Sequence, residues 1–135
     1  MDRNELIAVE RERALKLFSS RHKPGFNDKI AFTDWFIAQL ARQNFNCYYC
    51  ETAILDIRIL IERGLLKIRK TGYGWRGPVL EVDKRSNHLG YGPDNCVLAC
   101  YYCNNDKSYT LDSEAYKQFF GPNRKIFFDY LITTS

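Results

Sequence analysis

No apolar run in the 135-residue sequence approaches the roughly 20 residues of a membrane-spanning helix. The best candidate, Ala53 to Ile61, is broken by Asp56 and Arg58. Histidine is scarce, with only His22 and His88, and there is one methionine. Neither charge dominates: 20 Lys and Arg against 16 Asp and Glu leave +4, too small an excess to name a partner by itself. No internal repeat or low-complexity tract is present. The opening Met1-Asp2-Arg3-Asn4-Glu5 is not a secretion signal, so the expectation is a soluble, cytoplasmic protein with no membrane partner. Hydrophobic residues make up 45% and charged residues 27%, which excludes a chain disordered by composition. The length suits one compact domain.

Cysteine is what the sequence does have. Cys47 and Cys50 form one Cys-x-x-Cys knuckle, and Cys100 and Cys103 form another. Two intervening residues let one tight turn aim both sulfurs at one ion, and two such knuckles suit a tetrahedral Zn²⁺ held by four thiolates. Two disulfides are the rival reading; an odd cysteine count without a secretion signal argues against them. Cys96 is expected to be a small buried hydrophobe.

The modest positive charge is concentrated. Arg63 to Arg85 holds seven basic residues against two acids, with Tyr73 and Trp75 among them. Basic residues interleaved with aromatics suit a nucleic-acid backbone, and the candidate contacts are Lys67, Arg69, Lys70, Trp75, Arg76 and Arg85. Taken alone, the same stretch reads sooner as the solvated face of a hairpin.

Periodicity predicts an amphipathic helix over 4–20, then a loop around Pro24-Gly25. A second helix is expected from an N-cap at Thr33 to Asn44, and a third from Thr52 to Arg63, closed by Gly64. Leu65–Arg69 and Pro78–Asp83 read as paired strands around a glycine-rich turn. Cys96–Ala99 reads as a strand entering the second knuckle. A helix starts near Asn104, another at the N-cap Asp112, and Gly121-Pro122 is expected to stop it before a terminal helix over 124–132. The division is a helical part (1–46), a zinc-stapled core (47–110) and C-terminal helices (111–135) of one α+β domain.

Leu80-Glu81-Val82-Asp83-Lys84, the loop Gly90-Tyr91-Gly92-Pro93-Asp94-Asn95, and Leu98-Ala99-Cys100-Tyr101-Tyr102-Cys103-Asn104-Asn105-Asp106-Lys107 follow one another as strand, loop, strand, knuckle and helix. This order resembles the HNH nucleases with their ββα-metal finger. Within them it is similar to the PacI-type restriction endonucleases, which carry a Val-Asp-basic strand end and a Leu-Ala-Cys-x-x-Cys-Asn finger. The resemblance implies a small zinc-stabilised ββα-metal finger with flanking helices. It implies metal-dependent cleavage of double-stranded DNA by a homodimer, with structural Zn²⁺ and a catalytic divalent ion such as Mg²⁺. It places Asp83 and Asn104 as ligands of that ion, and Asn95 in the loop.

The departure from the common HNH pattern is Lys84, at a position where the usual base is a histidine; the PacI-type enzymes too carry a basic residue other than histidine there. An ammonium has no lone pair, so Lys84 is expected on the scissile phosphate, and the base is sought in His22, His88, Tyr48 or Tyr49. The neighbouring readings are a junction-resolving or nicking nuclease, and a zinc module that binds DNA without cutting it.

Overall fold

The computed structural model describes residues 2–20, 24–72 and 74–134. His22 and Tyr73 lie outside the described residues.

Helix α1 (Arg3–Ser20) buries Leu6, Glu10 and Ala14, one residue per turn, against α2 (Lys29–Arg42). The N-cap of α2 is Asp28, whose carboxylate accepts from the Ala31 amide at 2.8 Å. The Thr33 cap expected from sequence is therefore corrected: Thr33 is a buried residue of the second turn. A carboxylate five residues earlier takes the orphan amides first. Between the helices lies an aromatic cluster of Phe18, Phe26, Phe32, Trp35 and Phe36, with ring centroids 5.0–6.3 Å apart.

Helix α3 (Ile54–Glu62) ends as expected, with Gly64 at φ 75°, the left-handed position that follows a helix. The next step departs from expectation. Leu65 and Leu66 fold back onto the Leu60 carbonyl rather than forming a strand. The short hairpin is β1 (Arg69–Thr71) with β2 (Gly74–Arg76). The longer strand β3 (Leu80–Lys84) pairs antiparallel with β4 (Cys96–Cys100), Leu80 opposite Cys100 and Lys84 opposite Cys96. The apolar residues of β4 are all buried, and β3 gains more by covering them than by extending a solvated hairpin.

The free edge of β4 is also covered. The Gln43 side chain, just past α2, donates to the Leu98 carbonyl at 2.8 Å and accepts from the Leu98 amide at 3.0 Å. Buried Glu10 ties the layers together. It holds Arg13 (2.8 Å) and Arg58 (3.3 Å), which donate to the carbonyls of Leu80 and Pro78 at the entrance to β3.

Helix α4 (Tyr101–Lys107) follows β4 directly, three residues earlier than the expected start. Its N-cap is Cys100, whose sulfur accepts from the Cys103 amide. Asp112 caps α5 (Ser113–Ala115) as expected. Gly121-Pro122 does not stop the chain there. A wide π turn over Tyr116–Phe120 leads straight into α6 (Gly121–Thr134). The wide turn absorbs the bond and space that proline denies a regular helix. Gly121 serves space, because a Cβ there would overlap the Tyr49 carbonyl.

Candidate functional site

The sulfurs of Cys47, Cys50, Cys100 and Cys103 all lie within 4.8 Å of one another, and all four residues are buried. Zn–S bonds of about 2.3 Å in a tetrahedron put sulfurs about 3.8 Å apart, so the cluster fits one zinc ion with little closure. Backbone amides already point at the sulfurs: Cys100 and Tyr49 donate to Cys47 at 3.3 and 3.4 Å, and Cys103 donates to Cys100 at 3.4 Å. Such donors favour thiolate over thiol. Without a countercharge the sulfurs compete. Hydrogen bonds from Cys100, Cys103 and Cys47 pull the Cys50 thiol down, while burial pushes the Cys100 thiol up. A cation resolves that competition. No disulfide joins any of the five cysteines among the described residues. Cys96 is buried, with its sulfur accepting from Gly92.

The cluster pins β4 and the head of α4 to the first knuckle, so α4 lies across the Glu81/Asp83 side of β3. Two rungs cross between them. In one, Asp83 is buried, accepts from the Tyr49 hydroxyl, and lies 3.5 Å from the ammonium of fully buried Lys107. Tyr49 in turn shares a 2.8 Å hydrogen bond with Ser113. Burial raises the Asp83 pKa, opposed by Tyr49 and Lys107; burial and the Asp83 charge together push Tyr49 far above the ordinary phenol. In the other rung, the Asn104 amide nitrogen donates to Glu81 at 2.9 Å. Glu81 receives Arg76 through both carboxylate oxygens, at 2.8 and 2.6 Å. The Arg76 guanidinium also lies over the Tyr101 ring at 4.6 Å.

The predicted residues are thus distributed. Asn104, Arg76 and Trp75 share the wall of a groove of about 450 Å³ between α1 and the β1–β2 hairpin, with Glu81, Arg13 and Lys16. Asp83 lies on the same strand as Glu81, one rung deeper. The Lys84 ammonium lies 4.9 Å from the Tyr91 ring. Asn95 staples the ββ loop: its side chain accepts from the Ser86 amide and donates to the carbonyls of Ser86, Leu89 and Gly90 at 3.0–3.2 Å. His88 is exposed on that loop. Arg85 pairs with Glu114 at 3.3 Å. Lys67, Arg69 and Lys70 are exposed, and Lys70 lies over the face of Trp75, itself 56% exposed.

Sequence reasoning missed Glu81, Tyr49's link to Asp83, Ser113, Arg13 and Lys16. Lys107, which pairs with Asp83, already stood in the helix-start motif, three residues after Asn104 on the same helix face.

No family model matches the chain, and no curated protein matches it. Among solved structures it is similar to the rare-cutting HNH restriction endonuclease PacI, with a TM-score of 0.61 at 21% identity over 89% of this chain and 77% of PacI. The α+β architecture with its four-cysteine site resembles the fold of PacI, as the motifs led us to expect.

Proposed function

We propose that the chain is a metal-dependent endonuclease that hydrolyses phosphodiester bonds in double-stranded DNA, of restriction type. The observation that carries this reading is the placement of Asn104. It sits one residue after the last thiol of the cluster, at the head of α4, on the wall of a groove lined by Arg13, Lys16 and Arg76.

Cys47, Cys50, Cys100 and Cys103 would hold structural zinc. Asp83 and Asn104 would hold the second cation, such as Mg²⁺. Each leaves its Oδ1 without a hydrogen-bond partner among the described residues, and a carboxylate with an amide oxygen is a fitting donor set for a hard ion. When bound, that ion supplies charge stabilisation at the phosphate.

The chain's own residues do the rest. Lys67, Arg69 and Lys70 hold the backbone of the duplex, and Trp75 meets a groove. Tyr49 and Tyr48 donate their hydroxyls to Asp83 and Glu114, so neither is placed to take a proton; His88 and His22 remain the candidates. Each phosphate contact contributes about 0.9 to the log–log salt slope. Changing both Lys67 and Lys70 to Gln is expected to flatten the slope for duplex binding by roughly two units, read by fluorescence anisotropy across a salt series.

Lys84 in place of histidine favours one rival, a DNA-binding module without cleavage. As a phosphate contact, Lys84 should tolerate Arg, which also presents fixed positive charge, and lose roughly 10²-fold in single-turnover rate as Ala. Equal loss in Lys84→Arg and Lys84→Ala, with binding intact, would make Lys84 the base.

The homodimer in this reading has a face to use. Phe119, Phe120, Ile126, Phe127 and Tyr130 stand 47–67% exposed along one side of the π turn and α6, and Asn123 is the polar residue among them. The flanking charges Lys125 and Asp129 satisfy each other at 2.9 Å. At about 200 Å² per large side chain, the stripe offers roughly 550 Å² per copy. Two copies together clear the ~1,000 Å² of a specific interface. A charge-free stripe suits a second copy rather than nucleic acid.

The test is supercoiled plasmid with Mg²⁺. Linear product is expected from the wild type, and nicked circles from a monomeric Ile126→Glu/Phe127→Glu variant, with masses checked by sedimentation. Duplex binding without cleavage at any metal concentration refutes the endonuclease. A wild-type monomer at micromolar concentration refutes the dimer. Preferential cutting of branched substrates moves the reading to junction resolution.

A further inference from the structure

We propose that Glu81 is a positioning residue that sets the rotamer and amide orientation of Asn104, turning the amide oxygen outward as a ligand for a divalent cation. The inference rests on the reading of Asn104 as a ligand.

A primary amide offers a metal only its oxygen, yet its two ends are nearly identical in shape. Something must choose between them. Here Glu81 Oε1 accepts from Asn104 Nδ2 at 2.9 Å. A carboxylate can only accept, so this bond holds the nitrogen inward and leaves the oxygen facing away. Glu81 cannot be a ligand in the same state, because both its oxygens are engaged: Oε2 by Arg76 Nε at 2.8 Å, and Oε1 by Arg76 Nη2 at 2.6 Å and by Asn104.

The carboxylate is itself fixed. The fork of Arg76 grips it in the two-bond geometry that guanidinium and carboxylate share. Tyr101, the first residue of α4, lies under that guanidinium. The ion pair is only partly exposed, with side chains 30% and 16% accessible. This connects the hairpin to the head of α4. Arg76 is the last residue of β2, next to Trp75 and opposite Arg69, so the strand proposed to meet DNA also anchors the group that aims the ligand. Partners that orient ligands are worth about 10–100-fold in metal affinity or activity.

The hydrogen-bond polarity can be inverted, which separates positioning from mere support of the fold. Glu81→Gln places an amide against an amide and weakens the choice of orientation. Asn104→Asp places two carboxylates face to face. The double variant Glu81→Gln/Asn104→Asp restores one donor and one acceptor: the new amide donates to the new carboxylate, and its oxygen still accepts from Arg76.

Mn²⁺ binding to the zinc-loaded full chain, followed by electron paramagnetic resonance, and the Mg²⁺ concentration for half-maximal cleavage both read the effect. Each single variant is expected to need roughly tenfold more metal or above, and the double variant to return to within a few fold of wild type. Wild-type metal dependence in Glu81→Gln, with Asn104→Ala impaired, overturns the positioning role and spares Asn104 as a ligand. Additive loss in the double variant also overturns it. Wild-type Mn²⁺ affinity in Asn104→Ala overturns both.

Discussion

Cys100→Ser is expected to yield a chain that retains less than half an equivalent of zinc and melts at least 15 °C below the wild type. The substitution isolates the metal bond from a second duty of the same residue. Cys100 is the N-cap of α4, its sulfur accepting from the Cys103 amide, and serine is as good a cap as any. What is lost is the thiolate. In small zinc domains the metal contributes about 10–16 kcal/mol of coupled folding energy. This chain keeps a core that owes nothing to zinc, with Phe32, Phe36 and Leu40 buried between α1 and α2. The expected cost is therefore about 4 kcal/mol or more, enough for the stated shift at this chain length, and α1–α2 should outlast the finger. Elemental analysis of protein purified without added metal should give one zinc per wild-type chain. Circular dichroism with a thermal ramp checks the stability, and an unchanged melting point on loss of zinc would refute a structural role.

Asn104→Ala is expected to lower cleavage by roughly 10³-fold while duplex affinity and melting temperature stay near wild type. Its side chain stands on the groove wall, half-buried, with one hydrogen-bond partner among the described residues, Glu81, so little of the fold depends on it. Asp83→Ala should be as inactive for a different mixture of reasons. Asp83 faces the ammonium of Lys107, which is fully buried. Removing the carboxylate strands that charge, a loss of about 3–5 kcal/mol for a broken buried pair. Asp83→Ala should thus melt roughly 10 °C lower, and Asp83→Ala/Lys107→Met should recover much of the melting temperature but none of the cleavage. Activity near wild type in Asn104→Ala overturns the assignment, and a melting temperature unchanged in Asp83→Ala overturns the account of Lys107.

The parts of this architecture that lie close together in sequence were the legible ones. Two knuckles of fixed spacing announce four converging sulfurs whatever lies between them, and the cluster is where the spacing puts it. The cap at Asp112 and the glycine stop at Gly64 are likewise local. The strand pairing was not local. Leu65–Arg69 and Pro78–Asp83 carry the turn residues of a hairpin, but β3 chooses β4 because the thiol cluster holds Cys100 and the buried face of β4 needs a cover. The start of α2 was missed because two plausible caps compete and only burial of Thr33 decides between them. Glu81 passed as an ordinary strand carboxylate because its partners come from β2 and α4. A single sequence does not bring those elements together, so it shows an acid but not the amide and guanidinium it joins.

Gln43 has a bearing on how this protein behaves when crowded. A two-stranded sheet always exposes an outer row of amides and carbonyls, and five consecutive apolar residues along such a row invite a neighbour's strand. In β4 the central rung of that row, at Leu98, is already taken: the Gln43 carboxamide presents a donor and an acceptor at 2.8 and 3.0 Å, as a peptide unit of a third strand would. The amide of Tyr48 also bonds the Leu98 carbonyl, at 2.9 Å. One side chain thus impersonates a missing strand. It withholds from other molecules the edge along which intermolecular sheets and fibrils would start.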